Sequence, residues 1–165
     1  MPTITGLGHV GLYCHDLGKM REFYAGVLGL TIADEDLGRG ICFLSANPEA
    51  EHHELALVQT KGRAQKTQYL QQVSFKVKSL ADVREFYHRL DALGLQIDRT
   101  VTHGIACSVY FYDPEGNRVE LYYTTPFNVR QPLGEAIDLD RPDEELLAFA
   151  QSFEATKGPP RGAVI

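Results

Sequence analysis

The tetrapeptide Arg-Glu-Phe-Tyr stands at 21–24 and again at 84–87, 63 positions later, and its surroundings repeat with it. An alternating run, His9 to Cys14, precedes the first copy, and Gln72 to Val77 precedes the second. Leu-Gly-Leu follows each copy, at 28–30 and 93–95, and a run containing Glu-Leu comes later, HELALV at 53–58 and RVELYY at 118–123. So many matches in one order mean a duplicated unit, which a chain folds twice.

Each unit reads as strand, helix, then strands. Residues 8–14 alternate as a half-buried strand does. Asp16 can cap a helix whose stripe is Met20, Phe23, Tyr24, Val27 and Leu28, closed by Gly29. Ser79 caps the second copy, with Val83, Phe86, Tyr87, Leu90 and Leu93 on its stripe and Gly94 at its end. Strands are expected near 40–46 and 53–58, and near 107–112 and 118–123. Between the last two, Asp113-Pro114-Glu115-Gly116-Asn117 carries the residues of a hairpin turn. The spacing therefore predicts an α+β chain of two tandem βαβββ modules, residues 5–60 and 69–125, joined by a polar linker at 59–69. Residues 126–165 match neither copy. They open with Pro126 and Pro132 and carry a short acidic helix near 143–155, with Asp140 as its cap and Leu146, Leu147, Ala150 and Phe153 as its stripe. The last residues, KGPPRGAVI, read as a flexible end.

Composition removes several functions. Sixteen Lys and Arg against 22 Asp and Glu give a net charge of −6, a poor match for phosphate backbones, so no nucleic-acid partner is expected. No apolar run approaches the roughly 18 residues of a membrane span, and no secretory leader is visible at the N-terminus. Cys14, Cys42 and Cys107 are odd in number, widely spaced and set in apolar runs, which reads as free core thiols and a cytoplasmic setting.

The paired modules, GHVGLY near the start and YDPEGNRVELYY near the end resemble the vicinal oxygen chelate superfamily of glyoxalase I, fosfomycin- and bleomycin-resistance proteins and type I extradiol dioxygenases. The resemblance covers about residues 5–125. It implies that each module forms half of a cup-shaped mixed sheet around a metal site, commonly in a homodimer. HHELAL at 52–57, THG at 102–104 and VYFYDPEGNRVELY at 109–122 are most similar to the catechol-cleaving branch. That branch implies a small aromatic substrate, O₂ and Fe(II), with Mn, Ni or Zn as other possible ions.

An imidazole and a carboxylate with open positions suit such an ion. His9 and Glu120 match the family's ligands. The offset sets Gln72 opposite His9 as the third expected ligand, where extradiol enzymes carry histidine; its amide oxygen is a neutral, weaker donor. His53 matches the family's acid–base histidine, and a side chain titrating near 6.5 suits that role. His103 and Tyr110 match residues that hydrogen-bond the substrate oxygens. Taken alone, AEHHE reads as an exposed loop and Tyr110 as a strand aromatic. Strand alternation sends His53 and Glu54 to opposite faces, so one of them faces the site. Aligning the two Glu-Leu pairs matches Glu54 to Glu120 and would give a glyoxalase-like set of His9, Glu54, Gln72 and Glu120, the ligands of an isomerase. HELAL favours His53 and a ring-cleaving dioxygenase. A metal-free binding protein would account for Gln72 as a lost ligand.

Overall fold

The computed structural model describes residues 8–60, 70–129 and 133–154. The chain divides into two compact units, residues 1–69 and 70–165.

In the first unit, β1 (Val10–Cys14) leads into α1 (Leu17–Glu22), whose end widens into a π-helical turn over Phe23–Val27. Three strands follow: β2 (Thr31–Asp36), β3 (Ile41–Ser45) and β4 (Leu55–Gln59). The sheet order is β1-β4-β3-β2, with β1 parallel to β4 and the rest antiparallel. Asp16 caps the helix by accepting from the Lys19 N–H, and Gly29, at φ 80°, ends it in a conformation that only glycine adopts freely. Period-2 alternation sends Leu12, Cys14, Cys42, Leu44, Leu55 and Leu57 to one face, buried with Met20, Phe23 and Tyr24 of the helix. Gly11, Phe43 and Ala56 stand side by side on the other face.

The second unit repeats the plan. It runs β5 (Val73–Lys76), α2 (Leu80–Ala92), β6 (Ile97–Thr102), β7 (Ala106–Tyr112) and β8 (Arg118–Thr124). Ser79 and Asp82 form a reciprocal capping box on α2, an arrangement worth about 1 kcal/mol. Val73, Val109, Phe111, Val119 and Leu121 pack with Leu80, Val83 and Leu90 of α2. A further strand, β9 (Glu135–Ala136), extends the sheet to β5-β8-β7-β6-β9 by pairing with β6. Arg84 on α2 fastens that extension, donating to the carbonyls of Leu139 and Arg141 and to Asp143. Leu146 and Ala150 of α3 (Asp143–Gln151) are buried.

Several expectations shift. The strands β2 and β6 carry no clear alternation in sequence, and each contains a register shift, at Ile32/Asp34 and Ile97/Arg99. Asp140 does not cap the last helix. Pro142 holds the cap position, while Asp140 pairs with His88 at 2.9 Å. The linker beyond Thr60, Pro132 and the KGPPRGAVI end lie outside the described residues. The three thiols are buried and unbridged, as free core cysteines are. Among the described residues no helix is long and apolar enough to cross a membrane.

Candidate functional site

Cross-strand partners share a sheet face, so strand register lines up side chains across each unit. In the second unit one such row is Arg99, Tyr110, Glu120 and Ser74, on β6, β7, β8 and β5. Glu120 is only 7% exposed. Its Oε2 accepts from Ser74 Oγ at 2.6 Å and from Gln72 Nε2 at 2.9 Å. Among the described residues no Lys or Arg forms an ion pair with it. A buried carboxylate whose close partners are neutral donors is costly unless a cation meets it. The donor chemistry at Glu120 therefore fits a divalent ion.

Tyr110, 4% exposed, stands beside this carboxylate. Its hydroxyl lies 2.9 Å from His103 Nε2, and the other ring nitrogen of His103 faces the Leu133 carbonyl. A carbonyl only accepts, so Nδ1 is the nitrogen that donates toward Leu133, which leaves Nε2 facing the phenol oxygen. Burial pushes the Tyr110 phenol far above its ordinary value, and the hydrogen bond and charge of Glu120 add to this; Arg118 and Arg99 oppose it. Their guanidinium groups lie 4.2 and 5.1 Å from the ring centre. Tyr110 is thus a phenol that keeps its proton. Gly104 makes the His103 arrangement possible. At φ 71°, a Cβ there would sit 2.5 Å from Val129, so only glycine lets the Val129 side chain approach this turn. Ser108 Oγ, two residues before Tyr110 on the same face, is buried with no hydrogen-bond partner among the described residues.

In the first unit the matching row is Asp34, Phe43, Ala56 and Gly11. The polar groups come instead from the loop ahead of β4 and the residue ahead of β1. The rings of His9 and His53 are 4.4 Å apart, and His53 also lies 4.6 Å from the Phe43 ring. His52 Nδ1 is 3.0 Å from His53 Nδ1. Burial lowers the His53 pKa first, and the neighbouring His9 and His52 lower it further, against Glu51. His53 therefore favours the unprotonated form, as a general base must.

Glu54 points elsewhere. Its Oε2 accepts from the Ala46 N–H at 2.7 Å and lies 3.5 Å from Ser45 Oγ, in the loop after β3. The strand register also corrects the repeat alignment. Val10 pairs with Leu55 and Val73 pairs with Val119, so Ala56, not Glu54, is the counterpart of Glu120. Of the six site residues expected from sequence, then, His9 and His53 meet in one unit, and Gln72, His103, Tyr110 and Glu120 form one network in the other. Sequence reasoning passed over Ser74 and Arg118. Each lies two residues from an expected site residue on the same strand face, which was the available signal. Among the described residues no group of three or more His, Cys, Asp or Glu gathers as a ready-made metal cage.

Known proteins share this plan. A curated relative, biphenyl-2,3-diol 1,2-dioxygenase 3 from Rhodococcus globerulus, is 31% identical over 160 residues, covering 90% of this chain and 82% of its own. A solved lactoylglutathione lyase from Agrobacterium tumefaciens superposes with a TM-score of 0.59 at 23% identity, over 74% of this chain and 96% of that one. A fosfomycin resistance protein from Listeria monocytogenes, solved with Mn(II) and 1S,2S-dihydroxypropylphosphonic acid, gives 0.60 at 22%, over 75% and 94%. At those identities the two structures speak for the fold alone. The model of the glyoxalase/bleomycin resistance protein/dioxygenase superfamily matches residues 6–121, which hold both units' rows and every expected site residue, and the chain belongs to that superfamily.

Proposed function

We propose that this chain is a divalent-metal-dependent extradiol dioxygenase that opens the ring of a catechol-type substrate with O₂. One observation carries the reading: the buried Glu120 carboxylate, without a cation partner among the described residues, beside the Tyr110–His103 pair. The relative that acts on biphenyl-2,3-diol supports the substrate class.

In this reading His9 and Glu120 hold the ion, Fe(II) by preference, with Gln72 bonded to the Glu120 carboxylate. Once bound, the ion would supply Lewis-acid chemistry to the substrate's vicinal oxygens. His53, kept unprotonated by burial and its histidine neighbours, takes the proton of a substrate hydroxyl and later returns it. Tyr110 keeps its proton and, with His103 behind it, offers hydrogen-bonding groups to the substrate oxygen on which charge develops. The Ser108 hydroxyl, unpartnered among the described residues, is a further donor on that face. The isomerase set is less well supported, because Glu54 is engaged by the Ala46 N–H.

The test is oxygen uptake by anaerobically Fe(II)-loaded protein given biphenyl-2,3-diol. Stoichiometric O₂ consumption with a yellow ring-opened product is expected. Metal-loaded protein that consumes no O₂ with this or simpler catechols would overturn the reading.

A further inference from the structure

Gln72 occupies the position at which the resemblance expects a ligand, yet both ends of its amide are engaged. Oε1 accepts from Arg118 Nη1 at 2.9 Å. Nε2 faces Glu120 Oε2 at 2.9 Å and Ser74 Oγ at 2.8 Å. Only the oxygen of an amide can ligate a cation, since the nitrogen lone pair is delocalised. The surroundings dictate which end points where. Rotating the amide by half a turn would set its NH₂ against the guanidinium donors and its oxygen against the carboxylate, losing attractive contacts at both ends.

Arg118 is itself held firmly. Its Nη2 and Nε donate to Asp98 Oδ2 at 2.7 and 3.0 Å, its plane lies 4.2 Å from the Tyr110 ring centre, and its side chain is 14% exposed. A planar guanidinium braced on two sides and presenting its remaining edge to one carbonyl is a rigid reader of that carbonyl.

We propose that Gln72 is a positioning residue for Glu120 and not a metal ligand, and that Arg118 decides this by holding the amide oxygen away from the carboxylate. The proposal rests on the reading that Glu120 holds a divalent ion. It leaves His9 and Glu120 as the chain's strong donors. It also makes residue 118 the control point for how tightly the ion is held.

The sign of one effect tests it. Co(II) is titrated anaerobically into the full chain and into Arg118→Met, Gln72→Ala and the double variant, with the visible absorption of the ion as the readout. Freed from Arg118, the amide can turn its oxygen to the ion. Arg118→Met should therefore tighten Co(II) binding, on the order of 10-fold, and alter the absorption bands. Removing a positive charge favours any cation, so the double-variant cycle isolates the part that depends on Gln72. The gain should largely vanish in the Gln72→Ala background. Arg118→Lys, which keeps the charge but lacks the fork spanning Gln72 and Asp98, should also tighten binding and guards against misfolding of the Met variant. Unchanged or weaker binding in both Arg118 variants, or a gain of equal size without Gln72, would overturn the proposal. Glu120→Ala binding Co(II) as tightly as the parent chain would instead sink the underlying metal reading.

Discussion

The two units carry the same frame and opposite chemistry. Both have, after the helix, a strand with a register shift at the same place, Ile32/Asp34 in one and Ile97/Arg99 in the other. The rows that follow read Asp34–Phe43–Ala56–Gly11 against Arg99–Tyr110–Glu120–Ser74. In the second unit the strands themselves supply a carboxylate, a phenol and a hydroxyl. In the first, the strands offer the Asp34 carboxylate at the outer strand, an aromatic ring and two small residues, and imidazoles enter from the chain just before β1 and β4. Duplication preserved the buried faces, where volume is constrained by packing. It left the opposite faces free to diverge, so that one unit sets a buried carboxylate on its strands and the other sets imidazoles on the segments beside them.

The comparison breaks most decisively at Glu120. Glu120→Ala makes the second row match the first at its key position. Loss of a true ligand should weaken divalent-metal binding by more than the roughly 10- to 100-fold typical of residues that only support ligands. Isothermal titration with Mn(II) checks this. Next comes His53. Its replacement by alanine should slow turnover by roughly 10²- to 10⁴-fold while the metal stays bound. A base works unprotonated, so the lowered His53 pKa places the acid limb of the rate profile below the ordinary histidine value of about 6.5. His52→Ala removes one of the neighbours that lower it and should move that limb up, whereas Glu51→Gln removes the group that raises it and should move the limb down. Rate profiles between acid and neutral pH read both directions.

The repeat, the buried faces and the last hairpin were legible because they depend on local pattern: paired Arg-Glu-Phe-Tyr, period-2 alternation and turn chemistry. In the hairpin, Asp113 accepts from the backbone N–H groups of Glu115 and Asn117, local bonds that its residue types announce. The strands β2 and β6 were not, since exposed charged residues and a register shift erase their alternation. The match of Glu54 to Glu120 failed for a related reason. A two-residue slip keeps every side chain on its face, so alternation alone cannot detect it; only pairing with β1 and β5 fixes the register. The hold of Arg118 on Gln72, and of the Leu133 carbonyl on His103, join side chains 46 and 30 residues distant from their partners, which no local signal reports.

A smaller effect sharpens the role of the phenol. Tyr110→Phe keeps the ring beside Arg99 and Arg118 but removes the hydroxyl that contacts His103 and Glu120. A hydrogen bond is worth about 1 kcal/mol, so turnover should fall by roughly 10-fold or less, with metal affinity nearly constant. A loss as large as that of His53→Ala, in the same assay, would mean that the phenol moves the proton and His53 does not.

The smallest expected effect discriminates best between the two ligand sets. Glu54 stands on the backbone side of the β3–β4 loop, bonded to the Ala46 N–H, and its place in the row opposite β1 belongs to Ala56. Groups that share no partner act independently to within roughly 0.5 kcal/mol, about twofold in a binding constant. Glu54→Ala should therefore leave the Mn(II) dissociation constant within that margin and cost only the tethering of its own loop, seen as a modest drop in Tm. If instead Glu54→Ala empties the site as Glu120→Ala does, two carboxylates hold the ion. The first unit would then supply a ligand its strand register does not display, and an isomerase that moves a proton between paired carboxylates would displace the dioxygenase.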